Sequence, residues 1–145
     1  MTNISQNKLN KKIILITGAD GFIGKNLLFH LIESGDYEVL KYIKSSKKEL
    51  LKEFIFRADY IVHLAGTNRS DKDQDFEDNN IGVTEILCNL IKEKYAQTGL
   101  FTPLFFTSSI HATKNNIYGK TKLKAEKKII ELFEEIKNPI FIIRL

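Results

Sequence analysis

A chain of 145 residues is long enough for one domain with a buried core and too short for two. With 43% hydrophobic residues it has the composition of a globular domain, not of a disordered one. The net charge of +4 is almost all lysine, since Arg57, Arg69 and Arg144 are the only arginines; lysines spread over helix faces do not make the arginine–aromatic groove of a nucleic-acid binder, so no nucleic-acid partner is expected.

Residues 1–11 are polar and basic and are expected to form a disordered tail, with the domain proper over 12–145. The apolar run Ile13–Ile16 is too short for a signal-peptide core, and nothing approaches a membrane-spanning length. A cytoplasmic protein with no membrane partner is expected. From there strands and helices alternate. Ile13–Thr17 reads as a buried strand ending in glycine turns, and Phe22–Ser34 as a helix with apolar residues at 23, 27, 28, 31 and 32, closed by Gly35. Glu38–Ile43 is the second strand, Lys47–Phe56 a helix, and Tyr60–Ala65 the third strand, followed by a polar stretch from Thr67 to Asp78. A long helix runs from Asn79 to about Ala96, Leu104–Thr107 is the fourth strand, Tyr118–Lys137 a charged helix, and Pro139–Leu145 opens a fifth strand. This alternation predicts an α/β fold: a Rossmann-like doubly wound parallel sheet, in the strand order 3-2-1-4-5. Cys88, alone in an apolar helical run, predicts a small buried hydrophobe, with no disulfide. His30 and His63 are lone histidines in apolar elements and predict packed or surface side chains, with no metal site.

The first strand runs into TGADGFIG, with Gly18, Gly21 and Gly24 spaced GxxGxxG at the start of the first helix. A tight turn there needs a residue without Cβ, the backbone must approach a pyrophosphate closely, and the helix must pack hard on the strand. The helix N-terminus then offers free N–H groups and its positive dipole end to phosphates. Strand before and helix after give the triplet the context of a dinucleotide site, with Phe22 and Ile23 of the first turn beside the cofactor. NAD sites usually carry an acid about 20 residues beyond the loop, for the ribose 2′-OH. Here the second strand ends in Ile43, Lys44, Ser45, Ser46, Lys47 and Lys48. A cation with serine neighbours suits a 2′-phosphate, so Lys44 predicts NADP(H) in preference to NAD(H), with NAD(H) possible; a solvated lysine run opening the next helix is the alternative.

Tyr118 and Lys122, in YGKTK, are four apart at the start of a helix and so share a face. An ammonium beside a phenol favours the phenolate, which lets the tyrosine act as general acid or base on a sugar hydroxyl or ketone. Ser108 and Ser109 end the fourth strand, at the sheet edge where such folds bind ligands, and a serine hydroxyl there can hydrogen-bond the oxygen that the tyrosine protonates.

TGADGFIG, HLAG at 63–66, NNIGVT at 79–84, TSS at 107–109 and YGKTK at 118–122 resemble the extended short-chain dehydrogenase/reductases, the NAD-dependent epimerase/dehydratase family of nucleotide-sugar enzymes, over about residues 12–145. The resemblance implies that Ser109, Tyr118 and Lys122 are catalytic, Ser109 matching the motif better than Ser108. It also implies that Tyr118 and Lys122 approach the nicotinamide ribose, that Leu64, Ala65 and Gly66 line the cofactor with Gly66 on the adenine–ribose side, and that Asn80 steadies its helix near the site. It further implies a homodimer for the intact family. The short link from Ser109 to Tyr118, together with HLAGTNRSDKD, resembles the capsular-polysaccharide UDP-sugar reductases of the CapF type, which reduce a UDP-4-keto-6-deoxy-HexNAc with NADPH. By that resemblance the last strands, the sugar-binding part and a cupin-like domain are expected to be absent from a chain that stops within an apolar strand. Two readings follow: a nucleotide-sugar reductase, epimerase or dehydratase acting on a UDP-sugar, or a non-catalytic dinucleotide-binding remnant of one. An open fifth-strand edge predicts self-association and no turnover for the 145 residues alone.

Overall fold

The computed structural model describes residues 11–145, so the expected tail lies outside the described residues apart from Lys11. β1 spans Lys12–Thr17 and buries its last four residues; α1, Phe22–Ser34, has the bounds expected from its periodicity and ends at Gly35, which takes a left-handed φ of 69°. β2 is Tyr37–Tyr42, α2 Lys48–Arg57 and β3 Tyr60–His63. The polar stretch after β3 holds a short α3, Asp73–Phe76, which runs into a π-helical turn, Glu77–Gly82, and on into α4, Val83–Thr98. β4, Leu104–Ser108, is followed by a 3₁₀ turn at Ile110–Thr113, then α5, Ile117–Ile136, and β5, Ile140–Arg144.

All five strands are parallel, in the order β2-β1-β3-β4-β5. The expected order 3-2-1-4-5 is therefore wrong in one respect: β3 lies beside β1, not outside β2. The burial of the two strands explains it. β3 buries Ile61 and His63 completely and half-buries Tyr60 and Val62, whereas β2 buries only Leu40. A strand covered on both faces belongs inside the sheet. The glycine loop still leaves β1 at the switch point, because the chain moves to one side of β1 through α1 and returns to the other through α2.

Right-handed crossovers place α1 on one face and α2, α4 and α5 on the other, and the core divides accordingly. Leu27, Leu28 and Leu31 of α1 pack with Ile14 and Ile16 of β1. On the opposite face, Ile55 of α2, Leu87 and Ile91 of α4 and Ile129 and Leu132 of α5 cover Leu15, Ile61, Leu104 and Phe106. Each of these fully buried side chains contributes about 1.5–3 kcal/mol. Cys88 is buried in the same layer, as expected, and burial pushes its thiol up to about 12. Lys94 of α4 is also buried and donates to the carbonyls of Ile55 (3.1 Å) and Ala58 (2.6 Å), satisfying the C-terminal end of α2 from inside the protein. Among the described residues no helix is long and apolar enough to cross a membrane.

Candidate dinucleotide and active site

The glycine loop turns tightly out of β1. Gly18 has φ 71°, donates its N–H to Tyr42 O (2.8 Å) and accepts at its carbonyl from Gly21 N (3.1 Å). A Cβ at Gly18 would meet Ala65 N at 2.7 Å, and one at the buried Gly24 would strike the Gly18 carbonyl, so the loop, β3 and α1 close on one another only with glycine at both positions. Gly21 caps α1 without a side-chain acceptor, and no acidic residue stands in the first turn. The opening N–H groups and the dipole of α1 are thus left for an anion.

Beside the loop lies a cleft of about 720 Å³. Lys44, Ser46 and Lys48 form its wall at the end of β2; Leu64, Ala65 and Gly66 form its floor; Asn79, Val83 and Ile86 close the far side. Ser46 Oγ accepts from Ile43 N (3.0 Å), which holds the turn that presents Lys44. The carboxylates of the lining, Asp20 and Asp78, belong to the glycine loop and the π turn, not to the end of β2. Phe22 and Ile23 are exposed, the former by 85%, but do not line the cleft. In the sequence Lys48 stands out only as part of a lysine run, and nothing singles out Val83 or Ile86 as residues of the cleft.

His63 stands at the C-terminal end of β3, fully buried and stacked on Phe106 with ring centroids 5.3 Å apart. Its tautomer follows from its neighbours. Thr84 Oγ1 donates its one proton to Asn80 O (2.8 Å), so it accepts from His63 Nε2 (2.9 Å). Nδ1 then accepts from Thr17 Oγ1 (2.6 Å), whose lone pair takes the Ala65 N–H (3.3 Å). Burial, assisted by Lys122, lowers His63 to about 3, so the ring is neutral. It is a packed histidine, as expected, and it ties β1, β3 and α4 together beneath the glycine loop. Asn80 is buried in the π turn, not within a regular α-helix as expected. Its Oδ1 accepts from Thr67 N (2.7 Å), and its Nδ2 donates to Thr67 O (3.0 Å) and Thr121 Oγ1 (3.0 Å). Its side chain thus joins the turn after β3 to α5. A π turn at such a point is a common device for aiming one side chain inward.

Ser109 directly follows β4 and is 5% exposed; its Oγ accepts from His111 N (3.1 Å), which leaves the hydroxyl proton free to donate. Asn116 caps α5 by accepting from Gly119 N (2.7 Å). Tyr118 and Lys122 lie one turn apart on α5, where Tyr118 sits between the rings of Phe76 (6.4 Å) and His111 (6.2 Å). Lys122 Nζ donates to Thr107 O (2.9 Å), lies 4.7 Å from the Phe106 ring centroid, and would be 3.4 Å from a Cβ on Gly66. Lys122 therefore stands just behind the floor of the cleft. Burial pulls its ammonium down to about 8, against the opposing charge of Glu126. Among the described residues no cluster of side chains could hold a metal ion.

Known proteins share this fold. The model of the NAD dependent epimerase/dehydratase family matches residues 14–145. The UDP-2-acetamido-2,6-beta-L-arabino-hexul-4-ose reductase of Pseudomonas aeruginosa is 41% identical over 132 residues, which are 91% of this chain and 34% of the reductase. The capsular polysaccharide assembling protein CapF from Staphylococcus aureus has a TM-score of 0.75 at 35% identity, over 90% of this chain and 34% of its own. A UDP-glucuronic acid 4-epimerase from Bacillus cereus, solved with NAD, has a TM-score of 0.76 at 22% identity, over 91% of this chain and 56% of its own, and shares the fold. The chain spans about a third of the length of the curated relative that it matches. With the family model covering the sheet from β1 to β5, the chain belongs to the NAD-dependent epimerase/dehydratase family.

Proposed function

We propose that this chain binds NADP(H) in the cleft beside the glycine loop and supplies the proton-transferring residues of a nucleotide-sugar reductase, acting on a UDP-4-keto-6-deoxy-HexNAc. The observation that supports the reading is that Tyr118 and Lys122 share one face of α5, with Lys122 bonded to the Thr107 carbonyl near the end of β4, which Ser109 follows, and behind the cleft floor at Gly66. The residues present fit a dinucleotide: the loop leaves no room for a Cβ at Gly18, and the first turn of α1 has no acceptor of its own. The bound dinucleotide supplies the hydride that reaches C4 of the sugar. The Tyr118 phenol gives its proton to the oxygen on that carbon, the Ser109 hydroxyl donates to the same oxygen, and the Lys122 ammonium favours the tyrosinate that is left. Reduction is favoured over epimerisation or dehydration by the 41% identity to a reductase.

The choice of cofactor rests on Lys44 and Lys48, which line the cleft where β2 ends. A charge-assisted contact to a 2′-phosphate is worth about tenfold in affinity. In a fluorescence titration the chain should bind NADPH about tenfold more tightly than NADH, and Lys44→Glu should erase that difference. A clear preference of the unsubstituted chain for NADH would overturn the assignment.

A further inference from the structure

The stripe that carries Tyr118 and Lys122 continues to Glu126, one more turn along α5. Glu126 is 5% exposed, a position that a carboxylate tolerates only when fully paired. Ser108 Oγ donates to its Oε1 (2.5 Å), Arg144 Nε donates to the same oxygen (2.9 Å), and Arg144 Nη2 donates to Oε2 (2.7 Å). One carboxylate thereby joins three elements: α5 through its own backbone, the end of β4 through Ser108 and the end of β5 through Arg144. The backbone is stitched at the same place, Leu145 N donating to Ser108 O (3.4 Å) and Ile110 N to Leu145 O (3.0 Å), on either side of Ser109.

We propose that Glu126 is a positioning residue of the active site: it fixes Ser109 through its grip on Ser108 and Arg144, and it supplies the buried negative charge that holds the Lys122 ammonium in place. The inference rests on the roles given to Ser109 and Lys122 under the proposed function. The groups around Lys122 leave that charge to Glu126. β4 offers the Thr107 carbonyl and the Phe106 ring, β3 offers the neutral His63, and the π turn and the turn before it offer the Asn80 amide and Gly66. Tyr118 lies a turn earlier on α5, and Arg144 faces Glu126 from β5. The hydrogen bonds from Arg144 are the largest influence holding Glu126 below the usual carboxylate range, so it is ionised throughout the range in which Lys122 titrates.

The test is a titration of Lys122 in the 145-residue chain labelled with ¹³C-lysine, the signal being assigned by its loss in Lys122→Met. Glu126→Gln keeps the shape and one acceptor oxygen but removes the charge, so the Lys122 midpoint should move to lower pH by about half a unit to one unit. Arg144→Gln removes the opposing charge, so the midpoint should move the other way. In parallel, NADPH affinity at pH 7.5 should fall about 3- to 10-fold in Glu126→Gln, with partial recovery in Glu126→Asp. A merely structural residue would lower the melting temperature in both charge variants without moving the Lys122 midpoint in opposite directions, and that result would overturn the proposal. The titration needs no cofactor, so failure of the chain to bind NADPH would count against the proposed function and leave this readout intact.

Discussion

Replacing Tyr118 by phenylalanine should lower the turnover of a UDP-4-keto sugar by about 10²- to 10⁴-fold, with the NADPH dissociation constant unchanged within about twofold. The factor is that of a lost general acid, roughly 3 to 5 kcal/mol of barrier. Cofactor affinity survives because the phenol acts on the oxygen of the substrate and not on the dinucleotide. Lys122→Ala should impair both turnover and binding, since Nζ lies behind Gly66 at the cleft floor and one turn from the phenol. The chain spans about a third of its curated relative, so turnover is best measured with residues 12–145 exchanged into the Pseudomonas aeruginosa reductase. Binding can be measured on the chain itself. A phenylalanine variant with normal turnover would show that the proton comes from elsewhere.

Acid should destabilise the fold through His63 before it acts on the carboxylates. The ring has an ordinary value of 6.5 and a folded value of about 3, so the unfolded chain binds a proton that the folded one refuses. The stability held by the neutral ring is complete above pH 6.5 and is lost as pH falls toward 3. Each pH unit in that window is worth about 1.4 kcal/mol, with a ceiling of roughly 4 to 5 kcal/mol. That is comparable with the whole stability of a small domain. Glu126, depressed chiefly by Arg144, adds its loss only at the lower end of the range. His63→Gln should keep part of the bridge between Thr17 and Thr84 without titrating. Urea unfolding should find it about 1–2 kcal/mol less stable at pH 7.5, with a flatter decline between pH 6.5 and 4. The same pH slope in both proteins would remove His63 as the cause.

The parts of the fold that local chemistry dictates were legible in the sequence. β1, the glycine turns and α1 follow from an apolar run, residues without Cβ and a 3.6-residue period, and their bounds agree with the structure to within one residue. The strand order was not legible, because it depends on which strand is covered on both faces, a tertiary fact. α3 and the π turn were hidden in the acidic stretch DQDFEDNNIG, whose apolar Phe76 and Ile81 are too sparse to show a period. The sequence singled out Ser109, Tyr118 and Lys122, and the structure places all three around the end of β4. It could not single out Glu126, since a glutamate in a helix rich in lysine and glutamate looks solvated until Ser108 and Arg144 are brought against it.

The central position of β3 bears on how the molecule breathes. It is the shortest of the strands, only four residues, yet it has β1 on one side and β4 on the other and a helical layer over Ile61 and His63. Opening it requires the sheet to part in the middle, whereas β2 and β5 can peel from the rims. Amide hydrogen exchange would therefore be slowest in the smallest strand. The strand that supports the floor of the cofactor cleft would open only when the whole domain does.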